Sequence, residues 1–236
     1  ISSGVAQIVS AYPNLFEYRV YFAIGFVLFV MVMNLRGVKE SGAAFAIPTY
    51  FFIVMMFITV GLGLFRLITG TLGTVPNPPE LETLHGLAAI TPFLILHAFA
   101  SGTTALTGVE AISNGITAFK EPRSKNAGIT LIWMSLILGS LFLGISFLTR
   151  QIEAVPSESV TVISQLAETV YRGRGIFYLA LIGGTTVILV MAANTAFADF
   201  PRLSALAAQD GFLPRQLTYR GSRLVFSRGI VALAVI

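Results

Sequence analysis

His97-Ala-Phe-Ala-Ser-Gly-Thr-Thr-Ala-Leu-Thr-Gly-Val-Glu110 sits inside an apolar run covering about residues 88–119. Two glycines and four hydroxyl side chains interrupt it, and a carboxylate closes it. The run is too long for one straight crossing of a bilayer, for which about 20 apolar residues suffice. A helix broken near residues 106–108 resolves the excess length. Such a break bares backbone carbonyls at membrane depth, and this is tolerable only where the bare backbone lines a cavity. Broken helices of this kind build ion and substrate sites in many transporters.

The rest of the chain sets this reading in a membrane. Of its 236 residues 55% are hydrophobic and only 11% are charged, against roughly a quarter charged in an average soluble domain. Phe (19) and Gly (22) are abundant, as expected where small residues let helices approach in lipid. A water-excluded core large enough to hide this much apolar surface is implausible at this length. The fold class expected is therefore an all-α integral membrane protein. Apolar spans are read at about residues 18–35, 43–69, 88–119, 127–148 and 176–200, with a further one beginning at 229. The chain lacks an initial Met and a signal peptide, and its last apolar run, 230–236, is too short to span. It reads as a piece of a longer protein.

Orientation follows from the basic residues. Arg36, Lys39, Lys120, Arg123, Lys125, Arg202, Arg215, Arg220, Arg223 and Arg228 fall in one alternating set of loops. Arg19, Arg66, Arg150, Arg172 and Arg174 fall in the other. The richer set is assigned to the cytoplasm. The net charge of +4 is thus spread over short loops and gives no nucleic-acid surface. The absence of cysteine removes disulfides and thiolate metal sites.

Two loops carry structure of their own. In 151–175, residues Val162, Ile163, Leu166, Ala167 and Val170 follow helical spacing after a turn at Pro156 and Ser157. That helix is read either as a lid on the mouth of the protein or as an interfacial helix with no gating role. In 201–228, Leu203, Leu206 and Ala207 share one face ahead of Gly211 and Pro214, which reads as a separate interfacial helix ending in a basic loop.

Glu110 carries the most chemical information. An ionised side chain at the bilayer centre costs at least about 2.5 kcal/mol and is retained for a partner, an ion or a proton. Thr107 lies one turn earlier and shares its face if the turn stays helical. With Gly108, Thr103 and Thr104 these groups offer an oxygen-rich site for a hard cation such as potassium, or equally for a substrate ammonium group. His97, Asn194, Asp199 and Arg202 are weaker candidates for gating or proton relay. Asp199 and Arg202 are spaced to pair as an inner gate or as a helix-end salt bridge. Thr185 and Thr186 are read as packing residues, Pro48 as a kink, and Trp133 as lipid-facing or packed. No nucleotide-binding glycine loop, catalytic triad spacing or His-rich metal pattern occurs. The chain reads as a non-enzyme without a resident cofactor. Its expected partners are the lipid bilayer, a small solute or ion, and a second copy in a homodimer.

Three stretches carry a family resemblance. Asn34-Leu-Arg-Gly-Val-Lys-Glu-Ser-Gly42 resembles the cytoplasmic turn between spans four and five of APC-superfamily permeases. Thr107-Gly-Val-Glu-Ala-Ile-Ser-Asn-Gly115 and Phe119-Lys-Glu-Pro-Arg-Ser-Lys-Asn126 resemble their broken sixth span and the loop after it. The resemblance implies spans four to eight, and the start of nine, of a twelve-helix inverted-repeat (LeuT-type) transporter in the plasma membrane. The sixth-span stretch and Ala193-Asn-Thr-Ala-Phe-Ala-Asp-Phe-Pro-Arg-Leu203 look most similar to the KimA-type potassium importers, thought to couple potassium to protons. By that likeness Thr107 and Glu110 help bind potassium. The alternative branch is the proton-coupled amino-acid permeases. Those often place a large aromatic a turn or two before the same Glu, where this chain has Thr103, Thr104 and Ala105, with Phe99 further back. Some also use a fifth-span lysine as a proton switch, and residues 43–65 contain none.

Overall fold

The computed structural model describes residues 1–36, 42–76, 78, 91–103, 112, 116, 119–157, 159–219 and 226–235. Its described elements are helical: α1 (Ser2–Ala11), α2 (Arg19–Leu35), α3 (Gly42–Ile68), α4 (Pro92–Gly102), α5 (Arg123–Gln151), α6 (Val162–Tyr171), α7 (Ile176–Gln209) and α8 (Ser227–Val235), with short 3₁₀ turns at Pro13–Tyr18 and Arg215–Thr218. Four stretches are long and apolar enough to cross a membrane: Pro13–Leu35, Phe45–Ile68, Arg123–Gln151 and Ile176–Gln209. Most of their surface faces outward and is apolar. Tyr21, Ile47, Phe65, Trp133, Phe142 and Ile176 are all exposed. Only a hydrocarbon solvent makes that arrangement favourable.

The chain divides into two compact units. The first comprises residues 1–80 and 148–236, and α7 is its axis, touching α1, α2, α3, α6, α8 and the 3₁₀ turn at 215–218. One end of this unit has a dense core in which Met56, Leu148, Ile152, Leu166, Val170, Tyr178 and Leu181 are almost wholly buried. At the other end Val30, Phe197 and Ile230 form a second cluster, with Val27, Met31, Val190 and Leu233 packed on it. Small residues set the spacing. A Cβ at Gly229 would stand 2.9 Å from the Cα of Pro201, so α8 lies directly on the α7 backbone there.

The second unit comprises residues 81–147. In it α4 starts on Thr91, whose hydroxyl accepts the Leu94 N–H at 3.2 Å, with Pro92 in the first turn. This is a sound helix start, because the first backbone donors have no helical partners. The entry to α5 is held by Asn126 Nδ2, which donates to the Lys120 carbonyl at 2.8 Å, and by an Arg123–Glu121 ion pair at 3.1 Å.

Three features depart from the sequence reading. First, α1 is a helix outside the expected spans. It combines buried Val5 and Val9 with buried Gln7 and Ser10, whose polar groups find partners far along the chain. Second, α7 runs without interruption through Pro201 to Gln209. The separate interfacial helix expected after residue 200 is the last three turns of the same helix. Its packed face is Ser204, Ala205 and Ala208, while Leu203 and Leu206, the apolar face read from the sequence, are exposed. Third, α6 does not lie on a lipid surface. Ser164, Gln165, Leu166, Ala167, Thr169 and Val170 are buried in the first unit, and α1, α3 and α7 all touch the helix. Its buried face is therefore wider than the predicted apolar stripe and takes in polar residues.

Candidate transport site

Of the residues expected to bind solute, Thr104, Thr107, Gly108 and Glu110 lie outside the described residues. Thr103 is described. It closes α4 with helical dihedrals, is exposed, and donates its hydroxyl to the Ala100 carbonyl at 2.6 Å. That bond uses the hydroxyl proton and leaves the oxygen lone pairs for a cation. His97 is exposed one and a half turns earlier, its ring 6.2 Å from that of Phe93.

The other candidates stand on α7. Asp199 and Arg202 are both exposed, and no ion pair joins them among the described residues, so the expected inner salt bridge is not formed here. Asp199 is nonetheless the one acidic side chain within α2, α3, α5 or α7. Thr195 is exposed one turn before it, so a hydroxyl, a carboxylate and a guanidinium follow along one side of α7.

Asn194, a candidate for gating or proton relay, is engaged between two helices. Its Oδ1 accepts from Asn34 Nδ2 at 2.5 Å, and Asn34 also donates to the Val30 carbonyl at 2.9 Å. The two amides clasp the end of α2 to α7 beside the Val30–Phe197–Ile230 cluster. The clasp escaped the sequence reading. Its signal was a lone Asn near the end of each of two apolar spans, where hydrocarbon offers a polar group no other partner.

Other polar groups are accounted for locally. Thr49, Thr59, Thr185 and Thr186 each donate to the carbonyl four residues earlier. Among the described residues no three His, Asp or Glu side chains gather as a metal site. A groove of about 710 Å³ between α1, α2 and α8 is lined by apolar residues such as Val5, Val9, Ile24 and Val27. Arg19 stands at its edge, 4.3 Å over the Phe16 ring. Asn194, Asp199 and Arg202, the candidate residues of this unit, do not border it.

All-helical apolar spans, and an exposed Asp199 one turn after Thr195 on α7, fit a solute carrier. The family model for amino acid permeases matches residues 1–236. The chain belongs to the amino acid permease family. This is the helical inverted-repeat architecture expected from the three resembling stretches, and it makes the chain an integral membrane protein. One similar protein is the potassium transporter KimA of Bacillus subtilis (strain 168), 46% identical over 233 residues. That match takes in 99% of the present chain and 38% of the relative. The chain thus spans less than two-fifths of the length of the permease it matches.

Proposed function

We propose that the whole permease carries potassium into the cell across the plasma membrane in symport with protons, without an enzymatic step. The observation carrying this reading is the 46% identity to a potassium transporter sustained over almost the entire chain. The residue chemistry supports it. Glu110 supplies one charge for a cation or for the coupled proton, and Thr107 with the carbonyls near Gly108 replaces part of the hydration shell. A monovalent ion must also leave its site, so few charged ligands are expected. Thr103 and Thr104 stand where an amino-acid carrier often has an aromatic closing over its substrate. On α7, Asp199 and Arg202 lie toward the cytoplasmic end, and an ion pair between them, not made in this structure, would close the inner gate.

The family match favours a second reading, a proton-coupled amino-acid permease. There the segment 102–108 would hold the substrate's charged ends. Uptake by the full-length protein in sealed vesicles separates the two. Saturable rubidium uptake that competes with potassium and is lost in Glu110→Gln supports the potassium reading. Amino-acid uptake without rubidium flux overturns it.

A further inference from the structure

The segment between α5 and α7 reads in sequence either as a lid on the mouth of the protein or as an interfacial helix with no gating role. Its contacts speak against the lid. Thr161 caps α6 by accepting the Ser164 N–H at 3.3 Å. The Thr161 hydroxyl also donates to Gln7 Oε1 at 2.9 Å, and its own N–H donates to Ser10 Oγ at 2.9 Å. Both partners are on α1, some 150 residues away in sequence. Gln165 closes the loop that precedes the helix. Its Oε1 accepts the Val155 N–H at 3.0 Å, and its Nε2 donates to the carbonyls of Val155 and Val160 at 2.6 and 3.2 Å.

The other side of α6 is tied to α7 and α3. The hydroxyls of Ser164 and Tyr178 are 2.7 Å apart, and Tyr178 also donates to the Ser10 carbonyl at 3.5 Å. Every donor in this chain of groups has an acceptor if Ser164 donates to Tyr178. Tyr171 at the end of α6 meets Thr59 of α3 at 2.7 Å. Beyond α6, Arg174 donates to Glu168 at 3.2 Å and to the Ala11 carbonyl at 3.3 Å. The strand of chain after α3 is held too, through Val75 N–H on the Ile152 carbonyl at 3.1 Å. Ser10, Ser164, Gln165 and Tyr178 are at most 1% exposed, so opening the assembly would strand several buried polar groups together. A fully satisfied buried network of this sort has one good geometry and no cheap partial state.

We infer that residues 152–175 are a fixed cap, moving as one body with α1, α7 and the far half of α3 throughout the transport cycle. Gating on this side, which the basic residues place outside, falls to elements beyond this body. The inference builds on the transporter reading and adds which segment does not move.

The chain contains no cysteine, which allows a clean cross-linking test in full-length protein freed of any cysteine elsewhere. Ser10 Oγ and Thr161 Oγ1 are 3.4 Å apart, so Ser10→Cys/Thr161→Cys places two short side chains within disulfide reach. Oxidation is expected to leave rubidium uptake within about twofold of the reduced state. Uptake that falls more than about tenfold on oxidation and returns on reduction overturns the fixed cap.

Hydrogen exchange on the unaltered protein decides the matter if that pair does not fold. Peptides covering 152–171 should exchange within about twofold of the same rate in saturating potassium and in potassium-free buffer. A larger change there overturns the inference. Absence of rubidium flux in the unaltered protein counts against the potassium reading, and the oxidation and exchange comparisons then judge the cap with the labelled amino acid that is taken up.

Discussion

Gly63 allows a quantitative test of the junction beneath this cap. A Cβ added at Gly63 would stand 2.6 Å from Leu148 Cδ1, 3.3 Å from Leu148 Cδ2 and 3.2 Å from Val170 Cγ2. Comfortable carbon contacts are about 3.5–4.0 Å, so the shortfall against Leu148 is about 1 Å. Leu148 and Val170 are both 0% exposed, which leaves neither an empty rotamer to move into. Overpacking of this kind costs about 1–3 kcal/mol. Replacing glycine by alanine inside a helix returns about 0.5–1 kcal/mol of that. Gly63→Ala is therefore expected to destabilise the full-length protein by about 1–2 kcal/mol, read by reversible unfolding in mixed detergent micelles. Leu148→Ala alone should cost about 2–5 kcal/mol, because it opens a cavity. It also removes the clashing Cδ atoms, and the new methyl group partly fills the space. The double variant should thus be less destabilised than the sum of the two, by about 1–3 kcal/mol. A coupling below about 0.5 kcal/mol would refute the close approach of α3 to Leu148 and Val170.

Three further expectations follow from single contacts. Ser164→Ala and Tyr178→Phe each leave a buried hydroxyl short of a partner and should each cost about 1–3 kcal/mol, with the pair costing at least about 1 kcal/mol less than the sum in the same unfolding assay. Gly229→Ala drives a Cβ to 2.9 Å from Pro201 Cα and 3.0 Å from Pro201 Cβ. Backbone and a proline ring do not yield, so a loss of about 1–3 kcal/mol should persist in Gly229→Ala/Ser204→Ala; recovery in the double variant would show that the Ser204 hydroxyl was the obstacle. Arg172 closes α6 at φ 57°, in the left-handed region, so Arg172→Gly should raise the melting temperature by the equivalent of up to about 1 kcal/mol. A lowered melting temperature would mean that the arginine side chain contributes more than its backbone costs.

The membrane class was legible because it rests on runs of apolar residues, and hydrocarbon enforces helix on such runs whatever their neighbours. What depends on tertiary partners was not legible. Residues 2–11 fall outside every apolar span read from the sequence, because Gln7 and Ser10 become buried only when Thr161 arrives from the far side of the chain. The fifth span is read only to residue 200, beside Pro201, which lacks an N–H and crowds the carbonyl four residues back. Here α8 packs onto that turn through Gly229 and the helix continues. In α6 the apolar stripe gave the element and missed its orientation, since Ser164, Gln165 and Thr169 are buried through hydrogen bonds that periodicity does not reveal. For the site, residue type could be read and geometry could not: Glu110 and Thr107 lie outside the described residues, and the function assigned to them stands on their chemistry and on the relative's identity.

The hydroxyl-bearing residues show why that chemistry rests on Glu110 more than on the threonines around it. Thr49, Thr59, Thr130, Thr185 and Thr186 all return their proton to the carbonyl four residues earlier, and Thr103 and Ser140 to the one three earlier. A hydroxyl in a membrane helix thus satisfies itself without any ligand, so hydroxyl-rich sequence alone does not mark a site. An ionised carboxylate has no such exit. It has only acceptors to offer, and the helix carbonyls beside it are acceptors too. It needs a donor or a cation from another segment, or it must take a proton. On the proposed reading Glu110 in the long third run has that need at membrane depth, and Asp199 has it nearer the end of α7 that the basic residues assign to the cytoplasm. The same need is what fits a carboxylate both to hold a potassium ion and to exchange it for a proton. Glu110→Gln removes the charge and keeps the shape, so of the substitutions considered it is the one whose effect on rubidium flux bears on mechanism before stability.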